Sequence, residues 1–151
     1  MNRDEVYQLF RNIHDGDNTP QLSAQSLKNK IITYVNNNAY IKNSIDASTD
    51  DDGLVFFFKP FNLTLRCKES FKLFFFPPVT LNSYELDFYF ESNGEDISLL
   101  KIYTTTDGYV TKDVFNPASI CDTQNEYRGK LVLNEILDAL VNKKVITIHK
   151  Q

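Results

Sequence analysis

The chain has 151 residues, with 12 Phe and 8 Tyr, 20 acidic against 16 basic residues, two Cys and a formal net charge of −4. This length predicts one domain over residues 1–151 that buries a core without disulfides or a structural metal. The charge excludes a dominant cationic surface for a phosphate backbone, so no direct nucleic-acid partner is expected.

Asp4 to Ile13 places Val6, Leu9, Phe10 and Ile13 on one helical stripe, with Asp4 and Glu5 favourably near its N-terminus. His14-Asp15-Gly16-Asp17-Asn18 breaks the pattern, and Thr19-Pro20 opens a second helix whose stripe is Leu27, Ile31, Tyr34 and Val35, ending at Asn36-Asn37-Asn38. The two helices are expected to pair antiparallel. Ala39 to Ile45 is expected to add a short edge strand. Neither an apolar leader region nor a membrane-length apolar run opens the chain, so a cytoplasmic protein is expected.

From Leu54 the chain alternates strand patterns with turn chemistry: Leu54–Lys59, Leu63–Lys68, Phe71–Phe76, Tyr84–Glu91, Ile97–Tyr103 and Tyr109–Lys112. Connections this short permit antiparallel pairing only, because a parallel crossover needs a dozen or more residues. Asn93-Gly94 and Asp107-Gly108 are hairpin signals, and Pro77-Pro78 closes the third strand. Asn125 to Lys143 is a third helix with a broad stripe from Leu131 to Val141, and Val145–His149 is expected to close the chain as a short strand. The class is therefore α+β: two N-terminal helices, a six-stranded, mostly antiparallel meander sheet, one long C-terminal helix and a short final strand.

Two runs, Val55-Phe56-Phe57-Phe58 and Leu73-Phe74-Phe75-Phe76, are apolar on both sides of a strand. Helices on both sheet faces make them core. Helices on one face leave Val55 and Phe57, or Phe56 and Phe58, on the other, as an interface that includes a homodimer among its uses.

The candidate chemical sites do not assemble. Asp50-Asp51-Asp52-Gly53 suggests a calcium loop, but with Asp50 and Asp52 at its third and fifth positions, Lys59 falls where the bidentate Glu belongs. His14-Asp15-Gly16-Asp17 fails likewise at Pro20. His14 and His149 stand far apart in sequence, Cys67 and Cys121 lack CxxC spacing, and no nucleophile-elbow, phosphate-loop or dinucleotide motif occurs. No catalytic residue, cofactor or metal is expected, and the chain is read as a non-enzyme.

The remaining candidate is a surface. A two-residue turn at Asn93-Gly94 sets Glu91 opposite Asp96, Phe90 opposite Ile97, Phe88 opposite Leu99 and Leu86 opposite Lys101. Phe88, Phe90, Ile97 and Leu99 then share the inner face, and Glu85, Asp87, Tyr89, Glu91 and Asp96 the outer one. With Asp50, Asp51 and Asp52 these form the expected contact set for a basic protein partner. The expected function is a bacterial immunity protein neutralising a basic toxin such as a nuclease. A small acidic secretion or assembly chaperone, and a carrier holding a small ligand under the last helix, are the alternatives.

Overall fold

The computed structural model describes residues 2–7, 19–76 and 79–147. Residues 3–7 are helical, and Asn2 and Glu5 exchange bonds between side chain and backbone N–H at 2.8 and 2.9 Å, a reciprocal N-terminal cap. The rest of the expected first helix, and its pairing with the second, lie outside the described residues. Helix α1 (Thr19–Asn37) buries Ala24, Leu27, Ile31 and Val35, one stripe at three- and four-residue spacing. Where an edge strand was expected over Ala39–Ile45, the chain forms the short helix α2 (Ala39–Lys42). The Asn38 side chain accepts from the N–H groups of Tyr40 and Ile41 at 3.2 Å, and this cap outweighs the weak strand pattern.

Seven strands follow: β1 (Ile45–Asp50), β2 (Gly53–Phe58), β3 (Leu63–Phe76), β4 (Val79–Ser92), β5 (Glu95–Thr105), β6 (Tyr109–Thr111) and β7 (Cys121–Asp122). They lie in sequence order in one antiparallel sheet, so the meander is as expected. Leu63–Lys68 and Phe71–Phe76, expected as separate strands, are one strand, because Glu69-Ser70 carries no Gly or Pro to interrupt the ladder.

The β4–β5 hairpin turns at Asn93 and Gly94, both at positive φ (55° and 79°), and pairs Glu91 with Asp96 and Phe90 with Ile97 as expected. Beyond Tyr89, which pairs with Ser98, a register shift sets Phe88 opposite Leu100 and Leu86 opposite Ile102, not Leu99 and Lys101. The extra residue lets Leu99 and Ile102 both reach the core, where both are fully buried, and moves Lys101 opposite Asp87.

Helix α3 (Arg128–Asn142) packs against α1. Gly129 sits so close to α1 that a Cβ there would lie 2.5 Å from the Lys30 carbonyl oxygen. Both helices lie on one sheet face, in a single core with Phe56, Phe58, Leu65, Leu86, Phe88 and Ile102. Each fully buried Phe contributes about 1.5–3 kcal/mol of transfer free energy. After α3 the chain turns at Lys143 and Lys144, and Val145 and Ile146 pack half-buried on the core. Residues 145–147 form no strand, and Ile148 and His149 of the expected final strand lie outside the described residues.

Candidate protein-binding surface

With both helices on one face, the other face of the sheet is assembled from alternate residues of every long strand. Alternation sends Phe56 and Phe58 inward and leaves Val55 and Phe57 half-buried on the helix-free side. The strand register then lays Arg66 beside Tyr89, Lys68 beside Asp87, and Ser70 beside Glu85. Next to these on β5 stand Ser98, Lys101 and Tyr103.

Asp87, Tyr89, Glu91 and Asp96 lie together on this face, with Glu91 directly across from Asp96. Two bases that strand alternation already places together at i and i+2, Arg66 and Lys68, belong to the same surface and are absent from the expected contact set. Lys68 Nζ crosses the Tyr89 ring, 4.3 Å from its centroid, to pair with Asp96 at 2.8 Å. That contact raises the lysine's pKa. Arg66 reaches across β2 to Asp50 at 2.9 Å, and its hydrogen bond holds the Asp50 carboxyl below its usual range. Ser98 Oγ donates to Asp87 at 2.6 Å. The face is thus a lattice of compensated charges, not a uniformly acidic sheet.

Glu85 corrects the expectation of an exposed carboxylate. It lies on the helix-free side but is only 6% exposed, and it accepts a hydrogen bond from the Tyr103 hydroxyl. Burial, with this carboxylate beside it, pushes the Tyr103 pKa up to about 12. Phe74, packed edge-on against Tyr103 at 5.3 Å, extends the covered patch. Asp51 and Asp52 form the exposed β1–β2 turn. Because Val55 pairs with Arg66 and Arg66 with Tyr89, that turn lies toward the Lys68 end of the ladder, opposite to the Glu91–Asp96 end. The eight expected residues are therefore split: four together, Asp50 joined through Arg66, two on a distant turn and one buried.

Other chemistry is weakly represented. Among the described residues no group of three or more His, Cys, Asp or Glu side chains is placed to hold a metal ion, and both histidines lie outside them. Burial raises the pKa of the Cys67 thiol, and pushes that of Cys121 up to about 11, which disfavours a thiolate at neutral pH. The groove of about 540 Å³ between β5 and α3 has charged walls, including Lys101, Glu135 and Asp138. Lys112 pairs with Glu135 at 2.9 Å, and the Lys143 ammonium donates to the Leu99 carbonyl. No described helix is long and apolar enough to cross a membrane. No protein-family model matches the chain, and neither does any curated protein or solved structure.

Proposed function

We propose that the chain is a cytoplasmic, non-enzymatic protein-binding module that docks a basic protein through the helix-free face of its sheet. Its sharpest form is an immunity-type inhibitor of a basic toxin such as a nuclease. The observation that carries the reading is the preorganised ladder in which Tyr89 lies under Lys68, between Arg66–Asp50 and Lys68–Asp96. An aromatic and charged surface held by its own contacts loses little side-chain entropy on binding. The exposed carboxylates at its two ends, Asp51 and Asp52 at one and Glu91 at the other, carry charge that no described ion pair neutralises. These steer a cationic partner, while Tyr89 anchors it.

The test is association with a basic candidate toxin domain, followed by stopped flow over a range of salt concentrations. The expected outcome is an on-rate that falls as salt rises, falls further in Asp51→Lys and Glu91→Lys, and a dissociation rate that rises in Tyr89→Ala. Salt-independent association, or binding unaffected by Tyr89→Ala, counts against the reading.

A further inference from the structure

Several stretches of strand edge have no neighbouring strand among the described residues, and they are not alike. The outer edge of β1 is short and carries Asp46 and Asp50. On β5, the stretch before Tyr103 is kinked by the bulge, carries Lys101 and has its Leu99 carbonyl covered by Lys143. Short length, charge, bulges and covering groups are the usual protections against edge-to-edge pairing. On β3 the edge from Phe71 to Phe76 carries one charge, Lys72, and has no bulge and no backbone partner among the described residues.

β2 pairs with β3 only over Leu63–Arg66, whereas β3 continues in unbroken register with β4 to Phe76. The backbone groups of this overhanging stretch alternate in direction. The Cys67 carbonyl lies beside Gly53 of β2, and the Lys72 carbonyl is reached by the Ser83 hydroxyl of β4. Alternation therefore turns the N–H and C=O groups of Phe71, Leu73 and Phe75 away from β4, toward the free edge. No backbone hydrogen bond among the described residues occupies that edge. Phe71 is 40% exposed there.

We infer that this edge pairs with the same edge of a second copy, antiparallel about a two-fold axis at Leu73. A row of backbone donors and acceptors is complementary to another strand, and the registers decide which. Centred on Leu73, pairing joins Leu73 to Leu73 and Phe71 to Phe75, so every edge-facing N–H and C=O of these residues is satisfied, and Lys72 falls opposite Phe74. Centred on Lys72, it would set the two Lys72 ammonium groups face to face, a destabilising like-charge pair. Centred on Phe71, it would ask Phe75 to bond Cys67, whose carbonyl faces β2. The Leu73 register is the one that is both charge-compatible and complete, and it closes as a two-fold dimer with one continuous sheet. The helix-free face remains open in it.

The test is sedimentation equilibrium of the wild-type chain and of Leu73→Pro, with residue-resolved amide exchange. Proline at an edge-facing position removes only the outward N–H and leaves the β3–β4 ladder intact. The expected result is a concentration-dependent dimer for the wild type and a folded monomer for Leu73→Pro. In the wild type the Phe71 and Leu73 amides gain protection as concentration rises, while Ser70 and Lys72, bonded to β4, are protected at all concentrations. A wild type that stays monomeric from micromolar to millimolar concentration overturns the inference, as does a dimer whose Phe71 and Leu73 amides exchange freely. Should Leu73→Pro not fold, Phe71→Lys, at an exposed site, takes its place: a folded monomer supports the edge, and an undiminished dimer overturns it.

Discussion

Glu85 and Tyr103 show how one buried carboxylate sets local requirements. Removing the phenol hydroxyl in Tyr103→Phe leaves a nearly inaccessible carboxylate without that donor, at an expected cost of about 1–3 kcal/mol in urea denaturation at neutral pH. The same tyrosine carries a pH signature. Its folded pKa is raised from 10.0 to about 12, so its contribution to stability is complete below pH 10 and is lost as pH rises toward 12. Tyr103→Phe should flatten that alkaline decline, and denaturation midpoints measured across the interval check it. Asp50 has the opposite sign: its lowered pKa gives a contribution that is present at neutral pH and is lost as the pH falls below the ordinary value of 3.8. In Asp50→Asn that acid-side slope is shallower. At Gly129 the requirement is steric, since a Cβ would strike the α1 backbone at Lys30 and Ile31. Gly129→Ala should destabilise by about 1–3 kcal/mol or more, read from the thermal midpoint.

At the scale of elements, the β4–β5 hairpin separates what a turn specifies from what a core specifies. Asn93-Gly94 sets the register at Glu91–Asp96, but the bulge beyond Tyr89 resets it for the rest of the ribbon. Ile102 is fully buried, whereas Ile97 is 42% exposed. Ile102→Ala should therefore cost about 2–5 kcal/mol, whereas Ile97→Ala should cost little; equal effects in chemical denaturation would argue for the unbulged register. The cap at Asn38 decides a second element. Asn38→Ala removes the acceptor for Tyr40 and Ile41 and should cost about 1 kcal/mol, with loss of protection confined to α2 in amide exchange.

For the whole molecule, the consequence of packing α1 and α3 on one face is that every functional question moves to the other face and to the sheet's edges. Much of this was legible in the chain itself. Three- and four-residue spacing marked α1 and α3, short connections imposed an antiparallel meander, and alternation put Asp87, Tyr89 and Glu91 on one side, because these patterns follow from backbone geometry over a few residues. The strand break between Lys68 and Phe71 and the edge strand at Ala39 were misread, since local polarity there imitates a turn and local apolarity imitates a strand. Tertiary structure alone decided the rest. Glu85 is buried because Tyr103 is brought beside it, Arg66 and Lys68 neutralise Asp50 and Asp96 from different strands, and Leu99 becomes a bulge because the core accepts both Leu99 and Ile102. Each of these depends on groups more than a dozen residues apart or on the volume available in the core, and no local pattern encodes either.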